Sequence, residues 1–250
     1  MPLRRQRRAA LSRSRVQRIC QRGLNVNLTG RRQDGLAGRN GGAHEWNGAA
    51  RFGTRFVRIF ARRMAAAAKG GRVSEAYLTL AGDVNSDMVR RVFDVVGALT
   101  SEKIAFAHVL MQSNGGYVSD GICLYNFLQH APVEFAFYNA GAIASIAVIV
   151  YLAGNQRYAS ETARFMIHKS HASPGMGARP EELRIIAEGL EADDQRTERI
   201  LRQQVSLSTM QWAVHQSADL HLTAQEAVVS GLAHGLRDFA PPKGAWVRTV

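Results

Sequence analysis

Three short apolar runs constrain what this chain can fold into. Residues 76–81 (AYLTLA), 105–111 (AFAHVLM) and 133–138 are too short for buried helices and read as buried strands. Small or polar turn residues follow each run, and then apolar positions recur at helical spacing. After the first run, Asn85 or Ser86 can cap a helix over 87–99 that carries Met88, Val92, Val95, Val96 and Leu99 on one stripe. After the second, 119–130 aligns Ile122, Leu124, Tyr125 and Leu128. After the third, Gly141 opens an apolar helix over 144–153. Residues 157–159 and 164–167 read as two more strands, 180–205 as a long charged helix, and 223–230 as a helix stopped by Gly231. A further capped helix can start at Ser208. Strands alternating with helices predict an α/β fold of crossover units.

Charge divides the 250 residues unevenly. Residues 1–69 carry 17 Lys and Arg against two acids, whereas residues 70–250 carry 15 against 18. The net charge of +12 therefore belongs to the N-terminal segment and not to the folding body. That segment opens with Arg4, Arg5, Arg7 and Arg8 and lacks the apolar core of a secretory signal. Low hydrophobicity with charge of one sign predicts a disordered extension, because little apolar surface is available to offset chain entropy. Binding to nucleic acid or an anionic surface and an organelle transit peptide are the competing readings, and Met64 is an alternative start. The expected division is a basic extension over 1–70, a folded domain over 71–240 and a C-terminal tail over 241–250. No run approaches the roughly 20 apolar residues of a bilayer span. Two cysteines, Cys20 and Cys123, make no disulfide scaffold and fit a reducing, cytoplasmic setting. Nucleic acid and membrane are therefore not expected partners of the body.

Three places in the body carry side chains suited to chemistry. Ser113-Asn114-Gly115-Gly116 follows a buried strand, and paired glycines let backbone N–H groups approach a ligand or oxyanion. Gly141-Ala142-Ile143-Ala144-Ser145-Ile146 puts a serine at the start of an apolar helix, where a helix cap is the simpler reading. His168 ends the strand 164–167, with His171 a competing candidate. No His/Cys spacing argues for a metal, and His215 and His221, which flank Asp219, read as members of a surface turn.

Together these segments resemble the Clp protease proteolytic subunit family. That family follows a strand with Ser-Pro-Gly-Gly, then carries Gly-x-Ala-Ala-Ser-Met, then Met-Ile-His. Here the matching segments are 113–116, 141–146 and Met166-Ile167-His168, with Asn114 and Ile146 as departures. Near the C-terminus, Asp219 precedes Thr223-Ala224-Gln225-Glu226-Ala227 and Gly231-Leu232, similar to the family's Asp before Ser-Ala-x-Glu-Ala-x-x-x-Gly-Leu. The resemblance implies a crotonase-like fold of repeated ββα units with a long protruding helix. It implies Ser145 as nucleophile, His168 as general base and Asp219 as the carboxylate that orients it. Backbone N–H groups of Gly116 and Ile146 would form the oxyanion hole, with no cofactor and no metal. Peptides or unfolded proteins are the implied substrates, and a homo-oligomeric ring the implied assembly. The sequence before Glu75 does not match the family's N-terminal segment, so it lends no support to an ATP-driven unfoldase partner. Alternatives remain at this point: a non-catalytic scaffold subunit of such a ring, a serine–lysine protease or an acyl-CoA hydratase or isomerase of the same superfamily, and nucleic-acid binding through the Arg-rich extension.

Overall fold

The computed structural model describes residues 74–250, so the basic extension read above lies outside the described residues. In chain order the elements are β1 (Glu75–Ala81), α1 (Ser86–Ser101), β2 (Phe106–Ser113), α2 (Val118–His130), β3 (Glu134–Ala144), α3 (Ile146–Tyr151), β4 (Gln156–Ala159), β5 (Arg164–Ile167), α4 (Pro180–Gln204), α5 (Thr209–Ser217), β6 (Leu220–Thr223), α6 (Ala224–Val229), β7 (Gly235–Leu236) and β8 (Val247–Thr249). The strands form one sheet in the order β6-β5-β3-β2-β1-β8, with β4 beside β3 and β7 beside β4. Every pairing is parallel except β5 with β6. This is the α/β class the alternation predicts.

Period-2 alternation along the strands sends Leu78, Leu80, Val109, Met111, Phe135 and Phe137 to one face, where α1, α2 and α3 cover them. The opposite face buries Phe106, Ala136 and Tyr138 in a smaller cluster. Helix α1 starts at Asn85, whose side chain accepts from the Met88 N–H at 3.0 Å, and it inserts Met88, Val92, Val96 and Leu99 into the core. Helix α3 has no polar face, and all six of its residues are buried.

The third strand departs from the sequence reading. It does not end near residue 138 but runs 11 residues to Ala144, and the apolar helix after it shrinks to Ile146–Tyr151. The cause is a fork. The first half of β3 pairs with β4 over residues 136–139, and its second half pairs with β5 over residues 142–144. Backbone groups at the fork have no regular ladder and need other partners. Asn139, fully buried, supplies them: its Nδ2 donates to the Arg164 carbonyl at 2.9 Å and its Oδ1 accepts from the Gly141 N–H at 3.0 Å. On the other side, Gln112 Oε1 accepts from the Ala142 N–H at 3.2 Å, where the β2–β3 register shifts.

Three late strands, β6, β7 and β8, were not foreseen. Residues 220–223 form β6 against β5, with Thr223 also capping α6. The segment read as a tail includes β8, which lies parallel to β1. The 25-residue helix α4 buries only Leu201 among its residues and leaves Leu183 and Ile185 exposed.

Asn139→Ala should leave the Arg164 carbonyl and the Gly141 N–H unpaired in the fork, at about 1–3 kcal/mol for each group. Urea unfolding of the variant against the parent protein measures this. A loss below about 0.5 kcal/mol would show that the fork is held in another way.

Candidate active site

The sheet register brings three distant side chains together. In the parallel β3–β5 pair, Ala144 lies opposite Met166, and the Ser145 N–H continues the ladder by donating to the Met166 carbonyl at 2.8 Å. In the antiparallel β5–β6 pair, Ile167 lies opposite Leu220, so one step further His168 faces Asp219. The outcome is a line of contacts. His168 Nε2 is 2.7 Å from Ser145 Oγ, and His168 Nδ1 is 3.4 Å from the Asp219 carboxylate. With Nδ1 carrying the proton toward Asp219, Nε2 is free to accept from the serine hydroxyl. The Asp219 side chain is 54% exposed against 18% for His168, so this contact is solvated and longer than a tight charge-assisted bond.

Ser145 sits in a strained turn. Its φ of 57° and ψ of −135° are unusual for a residue with a side chain. It occupies the N-cap position of α3 but makes no side-chain cap hydrogen bond. The cap reading of the sequence is thus replaced: the hydroxyl turns away from the helix and toward the imidazole.

Two glycines bring the β2–α2 turn against this serine. Gly115 has φ of 108°, and a Cβ there would lie 2.6 Å from Ser145 Cβ. Gly116 has φ of 152°, and its Cβ would meet the Val84 carbonyl oxygen at 2.1 Å. Val84 N–H donates to the Gly115 carbonyl, and Tyr117 N–H donates to the Val84 carbonyl. These bonds use the groups flanking Gly116, so its own N–H faces away from Val84. Ile146 opens α3, and its N–H has no partner within the helix. Both residues line one cleft of about 190 Å³ with Ser145 and His168. Val148, Ile149 and Leu201 line the same cleft beside the polar side chains of Asp193 and Thr197.

The remaining candidates fall into place around this centre. The His171 ring stands edge-on to the His168 ring at 5.1 Å between centroids and lines the same cleft. Lys169 points to Asp194 at 3.7 Å and not toward the serine. His215 corrects the sequence reading: it is not in a surface turn but is buried in α5, behind the loop that leads to Asp219. Its Nδ1 has no hydrogen-bond partner, while the ring is hydrogen-bonded to the Ile167 backbone. Burial, reinforced by the Lys169 charge, holds its pKa below the usual histidine value. No sequence signal marks His215 as buried, because its neighbours in α5 give only a weak apolar stripe. Among the described residues, no cluster of three or more His, Cys, Asp or Glu side chains could hold a metal ion, and no helix is long and apolar enough to cross a membrane.

The fold is of the ClpP type. The family model described as Clp protease matches residues 65–238. The chain belongs to the Clp protease family, a family of serine peptidases. It is 25% identical over 163 residues to ATP-dependent Clp protease proteolytic subunit 2 of Corynebacterium glutamicum, covering 64% of this chain and 80% of that one. It is likewise 25% identical over 160 residues to the subunit 2 of Rhodococcus jostii, covering 63% and 81%. Among solved structures, a point mutant of ClpP1 from Listeria monocytogenes shares the fold at a TM-score of 0.56 and 20% identity, over 65% of this chain and 91% of that one.

His215 gives the fold a pH dependence. The unfolded chain protonates it near pH 6.5, and the folded state resists because its pKa is lowered. Its contribution is therefore complete above that pH and is lost as pH falls below it. Urea midpoints from about pH 8 to about pH 5 should fall less steeply in His215→Leu than in the parent protein. Equal slopes would mean that His215 titrates as freely in the fold as in the unfolded chain.

Proposed function

We propose that this protein is a Clp-type endopeptidase that cleaves unfolded or short peptides through an acyl-enzyme on Ser145. The reading rests on the 2.7 Å contact between Ser145 Oγ and His168 Nε2, with Asp219 on the other ring nitrogen. A neutral serine hydroxyl is a weak nucleophile and needs an adjacent base. His168 takes the Ser145 proton as Oγ attacks the scissile carbonyl carbon, and Asp219 stabilises the imidazolium that forms. The tetrahedral oxyanion would accept from the N–H groups of Gly116 and Ile146. His168 then returns the proton to the leaving amine, and a water activated by the same ring releases the acyl group.

A triad on its own cleaves any chain that reaches it, and a ring that encloses it supplies selectivity. The exposed apolar side chains on α4 favour a homo-oligomer, since a lone subunit leaves them in water. The relatives are named as ATP-dependent, but short peptides need no unfolding, so the assay below requires no ATPase. The exposed free thiol of Cys123 suits a reducing cytoplasm. An acyl-CoA enzyme would use the same two N–H groups but would leave the serine–histidine contact without a purpose.

A fluorophosphonate should label Ser145 in the parent protein and should not label Ser145→Ala. That variant should keep its assembly and lose peptidase activity by at least about 10³-fold. His168→Ala should lose activity to a similar degree, while His171→Ala keeps activity within about tenfold. A parent protein that neither labels nor cleaves points to the scaffold reading. An inert His171→Ala beside an active His168→Ala would mean that the wrong histidine was chosen.

A further inference from the structure

We propose that Asp194 is a positioning residue for His168, a latch that ties the segment after the histidine to α4; this rests on the reading of His168 as the base. The need for a latch comes from the sheet. Strand β5 ends at Ile167, so His168 and the residues after it leave the ladder that aligns them. Three more residues reach His171 on the cleft wall. Besides its contacts with Ser145 and Asp219, an imidazole just past the end of a strand depends on what fastens the chain beyond it.

Asp194 supplies that fastening. Its Oδ1 accepts from the Ser170 backbone N–H at 2.7 Å, a short charge-assisted bond, and its Oδ2 faces Lys169 Nζ at 3.7 Å. One carboxylate thus grips both residues that follow His168. Its side chain is only 18% exposed, so water competes weakly for it. The neighbouring Asp193 does not share this task, since it pairs with Arg196 on α4 itself at 2.9 Å.

The same stretch of α4 also holds the other side of the triad. One turn on, Glu198 accepts from Gln216 at 3.5 Å and from Arg202 at 2.7 Å. The Arg202 guanidinium covers the Trp212 ring at 4.0 Å. Gln216 and Trp212 belong to α5, which leads directly to Asp219. Helix α4 therefore spaces the loop that carries His168 against the helix that delivers Asp219. Small errors in this spacing are costly, because a misplacement of about 1 Å costs on the order of 10²-fold in rate.

Kinetics on the full assembled protein test the latch. Asp194→Ala should lower kcat by roughly 10- to 100-fold with KM within about threefold, and should slow fluorophosphonate labelling of Ser145 in parallel. Asp194→Asn keeps an oxygen acceptor for the Ser170 N–H and should recover most of both rates. Ser170→Pro removes the donor and should match Asp194→Ala, with the double variant no slower than either single one. Wild-type rates in Asp194→Ala would overturn the latch. So would an Asp194→Asn as slow as Asp194→Ala, or losses that add fully in the double variant. A parent protein that never labels at Ser145 would instead overturn the reading of the triad, which separates the two failures.

Discussion

The fork in β3 is the constraint on which the rest depends. A strand that pairs with β4 and then with β5 must open between them, and its backbone groups there lose the regular ladder. Asn139 and Gln112 repair the gap with side-chain hydrogen bonds, so it remains a defined geometry and not a loose end. Past the gap, the pairing of Ala144 with Met166 sets Ser145 beside the end of β5. The antiparallel pairing of β5 with β6 then sets Asp219 beside His168. The convergence of three residues spread over 74 positions thus follows from two strand registers, and a slip of one residue in either would turn a side chain to the opposite face.

Around this frame the site combines strain with close approach. Ser145 holds a backbone conformation that costs of order 1–3 kcal/mol and persists because its surroundings leave no alternative. Its N–H is bonded to Met166 on one side, and Ile146 after it is locked against Gly121, where a Cβ would come within 2.3 Å of the Ile146 side chain. The Gly115-Gly116 turn closes over the serine from the β2 side. Rigid core thus surrounds the Ser145 hydroxyl, whereas the His168 imidazole and the Asp219 carboxylate lie on segments that leave the sheet. That asymmetry explains why polar contacts from α4 collect behind His168 and Asp219 and not behind Ser145.

Much of the fold was legible from residue pattern. The stripe from Met88 to Leu99 marked α1, and the apolar runs marked β1 and β2, because burial on one face leaves a period in the sequence. The motifs around Gly116, Ser145, His168 and Asp219 carried the family resemblance, and the family match over residues 65–238 agrees with it. Reading went astray where two periods overlap. Residues 142–144 are small and apolar, equally suited to strand and helix, and only their pairing with 164–166 makes them strand. Strand β6 is four residues long and gains its conformation from β5, so its local sequence could not announce it. His215 and Asp194 carried no signal, since a polar side chain on a helix looks alike whether it faces water or a neighbouring segment.

By itself, the sequence determined the class of fold, the placing of the basic charge ahead of the folded body, and the identity of the groups available for chemistry. Those properties are local: they depend on composition, on apolar period and on residues a few positions apart. The tertiary structure alone decided that the Ser145 hydroxyl meets an imidazole and does not cap a helix, that His168 and not His171 receives it, and that Asp194 grips the segment between the two histidines. Each of these depends on strands and helices far apart in the chain, whose registers are set by burial and backbone pairing across the whole sheet.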